Sequence, residues 1–242
     1  MKALLDSDIL GYRIAFACEN ETIDIAKHRL DQYIMDILTQ GVDTTFKGCF
    51  CDSWQLYLTG KNNFRYDIAV TVPYKGNRIA PKPQHLQALR EHMIKEWDAS
   101  VTDGEEADDA IAIDGTTIGL DCVMVSLDKD FDQIPGWHYN FVKKIGYLVN
   151  EREGLYAFYK QILTGDTADN IQGLAGIGPV KAAKKLAPCD DEKDLVAYEL
   201  AMYGVCVDAY EGNVDRVLEN ALLLWLRRTP NEMWTPPTER FK

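Results

Sequence analysis

The chain has 242 residues, 46% of them hydrophobic and 26% charged, with a formal net charge of −12. That length predicts one large domain, or a domain with a small appendage, able to bury a core without disulfides or structural metals. Its apolar runs fall far short of the ~20 residues a membrane span needs, and the start, Met1-Lys2-Ala3-Leu4-Leu5-Asp6, has no long apolar signal region. The six cysteines, at positions 18, 49, 51, 122, 189 and 206, form no CxxC pair and point to a reduced, cytoplasmic compartment. Taken alone, the acidity argues against a nucleic-acid partner. Nine of the 38 acidic residues, however, fall in a few short motifs, and the 26 basic residues nearly balance the remainder. The negative charge is thus concentrated where divalent cations would offset it.

In chain order, Ala3-Leu4-Leu5 predicts a short buried strand ending at Asp6. Apolar residues at 23, 26, 30, 33, 34, 37 and 38 recur with a helical period and predict a helix over Ile23 to Leu38. Thr45 to Cys51 predicts a second strand, ending at Asp52, and Ile68 to Val72 a third. Ala80-Pro81-Lys82-Pro83 breaks the chain before a helix over Gln84 to Trp97. Ala107 to Ile113 predicts another helix. Val123 to Leu127 predicts a buried strand ending at Asp128, and Trp137 to Val149 a small hairpin around Gly146. From Glu151 to Arg228 the pattern is helical, broken by a Gly-rich turn at 173–178, with Trp225 and Trp234 as packing residues. The tail, Pro230 to Lys242, reads as extended.

Strands alternating with helices predict an α/β fold, a mostly parallel central sheet with helices on both faces, over residues 1–150. A helical region over 151–229 and the tail at 230–242 follow. In such sheets, sites form beyond the carboxyl ends of the strands, so Asp6, Asp52 and Asp128 are expected to converge.

The acids fall into five clusters: Asp6 with Asp8, Asp52, Glu106/Asp108/Asp109, Asp128/Asp130 and Asp166/Asp169. Residues three apart, such as Glu106 and Asp109, share a helix face. Carboxylates this numerous repel one another unless cations hold them together. Oxygen donors without His or Cys select Mg²⁺ or Mn²⁺ over Zn²⁺, and two such ions form the clamp of phosphodiester hydrolysis. The plain alternative for any single acid is a cap, turn or solvated face, which suits Asp8, Glu105 and Asp132.

Three consecutive segments, Glu106-Ala107-Asp108-Asp109, Ser126-Leu127-Asp128-Lys129-Asp130 and Gly165-Asp166-Thr167-Ala168-Asp169-Asn170, resemble signatures of the 5′-nuclease (flap endonuclease-like) superfamily. Asp6 is similar to its first strand-end aspartate and Asp52 to its second. Phe64-Arg65 with Tyr74-Lys75-Gly76-Asn77-Arg78 resembles its F-R…Y-K-x-x-R segment. The likeness runs over about residues 3 to 190, closest to the bacteriophage and bacterial exonuclease branch. It implies a PIN-like nuclease domain with two divalent ions held, directly or at one remove, by Asp6, Asp52, Glu106, Asp108, Asp109, Asp128, Asp130, Asp166 and Asp169. It implies that Lys75 and Arg78 act on the scissile phosphate, and that Tyr74 stacks on a terminal base. The segment between Lys75 and Glu106 is short for the arch that threads a 5′ single strand elsewhere in the family, which puts threading in question.

Residues 171–185 hold a G-x-G turn at Gly176 and Gly178, with Pro179 suited to a first helical turn and Lys181, Lys184 and Lys185 beyond it. The resemblance makes this a helix–three-turn–helix, at about 160–190, that grips duplex DNA through phosphates, with K⁺ on its backbone carbonyls. The implied activity is a structure-selective 5′→3′ exonuclease/flap endonuclease acting on DNA 5′ ends, flaps and branched duplex, with RNA–DNA hybrids left open. A cytoplasmic monomer in a bacterial or phage-infected cell is the implied setting. Two alternatives stand beside it: a PIN-type ribonuclease, and a catalytically inactive branched-DNA-binding protein.

Overall fold

A computed structural model of the chain describes residues 1–46 and 51–241. Strand β1 (Lys2–Asp6) runs straight into α1 (Ser7–Ala17), because the Asp6 carboxylate caps the helix by accepting from Ile9 N at 3.4 Å. Helix α2 (Ile23–Asp36) widens into a π turn at Ile37–Val42 and ends in the short α3 (Asp43–Thr45). Then come β2 (Ser53–Thr59), α4 (Arg65–Ile68), α5 (Leu86–Glu96), β3 (Ser100–Thr102), α6 (Ala107–Ile118), β4 (Cys122–Val125), β5 (Gly136–Asn140) and β6 (Ile145–Val149). The remaining elements are α7 (Glu151–Thr164), the two-residue strands β7 (Gly165–Asp166) and β8 (Ile171–Gln172), α8 (Pro179–Leu186), α9 (Leu195–Ala209), α10 (Val214–Leu224) and α11 (Pro237–Arg240).

The main sheet has the order β3-β2-β1-β4-β5-β6, parallel except for β6. The strand order reverses between β1 and β4, and a crevice opens at the carboxyl ends of strands at such a switch point. Alternation along β1 feeds two cores. Ala3 and Leu5 join Leu10, Leu30, Ile34, Leu89 and Met93 under α1, α2 and α5, while Leu4 joins Ile111, Met124 and Phe131 under α6. Burial of each of these Leu, Ile, Met and Phe side chains contributes about 1.5–3 kcal/mol. A third core, with Phe158, Tyr159, Met202, Trp225 and Trp234, lies among α7, α8, α9 and α10. Among the described residues no helix is long and apolar enough to cross a membrane.

The mostly parallel α/β sheet, the strand at Ala3–Leu5 and the helices near 23–38, 84–97 and 107–113 are found as expected, and the strand expected over Val123–Leu127 is found at Cys122–Val125, two residues short of its expected end. The second strand is not. Thr45 is helical, residues 47–50 lie outside the described residues, and the strand begins only at Ser53. Ile68 to Val72 forms no strand either. Helix α4 ends at Ile68, and the next free amides, Val70 N and Thr71 N, donate to Glu219 Oε1 at 2.9 and 2.7 Å. The hairpin turns at residues 141–144, with Lys144 at φ 56°. Gly146 sits instead within β6, where a Cβ would come within 2.5 Å of Thr45 Cγ2. Helix α5 forms no arch. Its Leu86, Leu89 and Met93 are locked into the first core, leaving a short connection exposed over residues 76–82.

Candidate active site

The two central strands end in one hydrogen-bonded unit. Asp6 Oδ2 accepts from Ser126 Oγ at 2.8 Å, and Ser126 Oγ accepts from Asp128 N at 3.0 Å. Asp128 caps the 3₁₀ turn Lys129–Gln133 by accepting from Asp130 N at 2.9 Å, which sets Asp130 beside it. Glu106 and Asp108 stand at the start of α6, just beyond β3.

The β7–β8 loop brings the third group. Asp166 Oδ1 accepts from Ala168 N at 2.7 Å and Asp169 N at 3.2 Å, curling the loop around its own carboxylate. Gly165 has φ +67°, and a Cβ on either Gly165 or Gly173 would lie 2.2 Å from backbone, so this crossing needs two glycines. Residues 73–78 are stitched to the loop by Lys75 N to Asp169 O at 2.8 Å, Asn77 Nδ2 to Thr167 O at 2.6 Å and Asn170 Nδ2 to Pro73 O at 2.8 Å.

Cations stand between the acids. The Lys75 ammonium pairs with Glu106 and lies 3.7 Å from Asp169 Oδ1, and Arg78 Nη2 donates to Asp169 Oδ1 at 2.6 Å. Lys129 Nζ donates to Asp166 Oδ2 at 2.6 Å. Burial works against the charge of Lys75, yet Glu106 and Asp169 hold its pKa above the ordinary lysine range. Burial, followed by repulsion from Asp8 and Asp128, pushes Asp6 up to about 7 against the opposing Ser126 bond. Burial and the charges of Asp128 and Asp166 push Asp130 to about 7 as well. Asp108 is raised well above its usual value by desolvation and then by Asp6, Glu106 and Asp128, and Asp128 is raised chiefly by desolvation.

This cluster carries more negative charge than its own cations neutralise. All its donors are oxygen, so it fits hard divalent ions. Among the described residues no three acids are already drawn together into a coordination sphere; Lys75 and Lys129 hold them in the arrangement given above.

The structure brings together Asp6, Glu106, Asp108, Asp128, Asp130, Asp166 and Asp169, with Lys75 and Arg78 at their edge. Three expected residues are placed otherwise. Asp52 precedes β2 and bonds the amino terminus at 3.3 Å. Asp6 is in register with Tyr57, five residues further along that strand, so Asp52 lies at the far end of the sheet, roughly 16 Å away. The strand-end position it was expected to fill is Thr59, whose N–H donates to Asp8 Oδ2 at 2.8 Å, and Asp8 pairs with Arg90. Asp109 is 0% exposed, and its carboxylate is saturated by Arg65, Arg227 N and Glu106 N, so it has no oxygen to offer an ion. Tyr74 is 3% exposed and cannot stack on a base. Its hydroxyl ties Glu106 Oε2 at 2.8 Å and Asp169 Oδ2 at 2.6 Å.

Sequence reasoning missed Ser126, Lys129 and Gln161 as partners of the acids, although the first two sit inside a quoted motif. Gln161 Nε2 donates to Asp130 Oδ1 at 2.7 Å from α7, a contact no local pattern announces. Gly176 has φ +72°, Gly178 precedes α8, and Lys181, Lys184 and Lys185 are exposed there. Lys181 Nζ donates to Gly176 O at 2.8 Å.

No family model matches the chain. Over 131 residues it is 34% identical to a flap endonuclease Xni of Shewanella putrefaciens, a stretch covering 46% of this chain and 48% of that protein. Over 136 residues it is 35% identical to a DNA polymerase I of Rhizobium leguminosarum, covering 49% of this chain and 13% of that protein. The chain thus spans about half the length of the flap endonucleases it matches, or less in the polymerase. Its fold is that of the bacteriophage T5 flap endonuclease solved with DNA and metal ions, with a TM-score of 0.56 and 17% identity over 91% of this chain and 98% of that one. It also matches a T5 5′-exonuclease with bound zinc, with a TM-score of 0.55 and 18% identity over 91% of this chain and 100% of that one.

Proposed function

We propose that the chain, similar to flap endonucleases over part of its length and sharing the fold of one, is a member of the 5′-nuclease superfamily: a divalent-metal-dependent, structure-selective 5′→3′ exonuclease and flap endonuclease that hydrolyses DNA. The observation that carries this reading is the gathering of seven carboxylates beside Lys75 and Arg78 at the carboxyl end of one parallel sheet. Asp6, Glu106, Asp108, Asp128, Asp130, Asp166 and Asp169 would hold two Mg²⁺ or Mn²⁺ ions, which when bound would activate a water and neutralise the leaving oxygen.

The chain's own residues do the positioning. Ser126 fixes Asp6 relative to Asp128, Gln161 fixes Asp130, and the Tyr74 hydroxyl fixes Glu106 relative to Asp169. Lys75 and Arg78 stabilise negative charge on the phosphate at the outer edge of the cluster. Lys181, Lys184 and Lys185, with the turn at Gly176 to Gly178, hold duplex phosphates, which positions the substrate without reading sequence. A K⁺ ion held by the carbonyls of that turn would have to displace the Lys181 ammonium, which donates to Gly176 O at 2.8 Å. RNA–DNA hybrids are a second substrate class in this reading, and a cytoplasmic monomer is its setting.

The deciding assay is a 5′-labelled flap duplex incubated with Mg²⁺ or with EDTA. Mg²⁺-dependent release of short 5′ products is expected. Tight metal-independent binding without cleavage would instead identify an inactive branched-DNA-binding protein. Inactivity on DNA with cleavage of single-stranded RNA would identify a PIN-type ribonuclease, a reading the glycine turn before α8 and the lysines on that helix weigh against.

A further inference from the structure

After α10 the chain leaves the helix at Trp225 and passes, through Arg228, between two acid-bearing elements. On one side stands Arg65, 1% exposed. Its Nε donates to Leu223 O at 2.9 Å and its Nη2 to Trp225 O at 2.7 Å, while the same guanidinium grips Asp109 on α6. Arg227 N donates to Asp109 Oδ1 at 3.1 Å, and Arg227 Nη1 donates to Glu105 Oε2 at 2.9 Å, a second tie to the start of α6. The Phe64 ring has the Arg65 and Arg227 guanidinium carbons 4.6 and 3.8 Å from its centre.

On the other side stands Gln133, also 1% exposed, the last residue of the 3₁₀ turn that begins behind Asp128. Both ends of its amide are used by the same stretch of chain. Nε2 donates to Leu224 O at 2.9 Å, and Oε1 accepts from Leu226 N at 3.0 Å. Arg228 Nη2 then donates to Gln133 O at 2.9 Å.

We infer that residues 223–228 are a backbone strap that sets the spacing between the Glu106–Asp108 and Asp128–Asp130 carboxylates, and with it the affinity for divalent ions. The link to turnover rests on the nuclease reading above; the link to metal affinity is separate from it. Asp108 and Asp128 repel each other, so their elements drift apart unless something behind them resists. The strap meets both elements through buried and part-buried hydrogen bonds, and none of the groups that make them is one of the seven clustered carboxylates. Groups that orient ligating carboxylates in this way typically change metal affinity or activity about 10–100-fold when removed. Gln133 and Arg228 are thus positioning residues.

The test uses Gln133→Met and Arg228→Met in the full chain. Each is titrated with Mn²⁺ alone by calorimetry, and kcat and KM are then measured on a 5′-flap duplex. In Gln133→Met, Mn²⁺ affinity is expected to fall about tenfold and kcat to fall with it, with KM for DNA within about twofold of the parent. A folded Gln133→Met with parental Mn²⁺ affinity overturns the strap. If that variant does not fold, Arg228→Met decides: a fall of about threefold in Mn²⁺ affinity supports the strap, and no fall overturns it. A parent chain that cuts DNA beside indifferent variants sinks the strap alone, whereas a parent that binds Mn²⁺ but cuts no DNA sinks the nuclease reading alone.

Discussion

Arg65 and Asp109 form a buried two-pronged ion pair, Nη1 to Oδ2 at 2.5 Å and Nη2 to Oδ1 at 2.8 Å, with neither side chain more than 1% exposed. Burial opposes both charges, yet each partner holds the other ionised, Asp109 below and Arg65 above its ordinary range. Removing one partner strands a buried charge, which typically costs about 3–5 kcal/mol. Arg65→Met should therefore lower the unfolding free energy in urea by about that amount, and the double variant Arg65→Met/Asp109→Leu should lose less than the two single losses combined. Additive losses would show that the two side chains are not coupled.

Asp128→Asn should reduce turnover at least about a hundredfold while leaving the fold intact. Because Asp128 repels Asp6, Asp108 and Asp130, the same change should raise the melting temperature of the metal-free protein. Asp52→Ala, at the opposite end of the sheet, should alter neither. Parental turnover in the Asp128 variant, measured on the flap substrate, would remove that residue from the site. A collapse of activity in the Asp52 variant would mean that the register between β1 and β2 is wrong.

The raised carboxyls set a pH dependence. Asp6 and Asp130, near 7 when folded against an ordinary 3.8, bind more protons in the native than in the unfolded state over that interval. Stability of the metal-free protein should therefore fall as pH rises from about 4 to about 7. Asp109 and Asp166 are shifted downward and act only below that window. Saturating Mg²⁺ should flatten the dependence, since bound cations favour the ionised carboxylates. Urea melts at pH 5, 6 and 7, with and without Mg²⁺, check this, and a metal-free stability that rises with pH would contradict it.

Lys181, Lys184 and Lys185 project from the exposed side of α8, which packs inward through Ala182 and Leu186. Their joint replacement by Ala should weaken duplex binding in Ca²⁺ and reduce the slope of log affinity against log salt by up to about 2.7, or 0.9 for each lost phosphate contact. An unchanged slope would remove α8 from the DNA interface.

Helix α5 is packed into the core beneath α1 and α2, so only the exposed connection over residues 76–82 passes beside Lys75. A flap whose 5′ end carries biotin bound to streptavidin should be cut at a rate within about tenfold of the free flap, a penalty of ~1.4 kcal/mol or less. Complete protection by streptavidin would mean that the end must be threaded after all.

The sequence was legible where the chemistry is local. The apolar run before Asp6, the Ser126–Asp130 motif and the glycine-framed Asp166/Asp169 loop each carry their own geometry, because a strand end, a cap or a φ > 0 glycine is decided by neighbours within a few residues. These segments located most of the acid cluster and, through their order, the sheet that carries it. Tertiary structure decided which acids face the crevice. Asp52 was lost by the register of β2, which only pairing with β1 fixes. Asp109 was taken by Arg65, 44 residues away, and by Arg227 N, 118 residues away. Tyr74 was buried against Glu106 and Asp169, so its hydroxyl became a tie and its ring a core residue. Residue type and spacing state that a carboxylate is present, but whether its lone pairs remain free for an ion depends on which distant donors the packed fold brings to it.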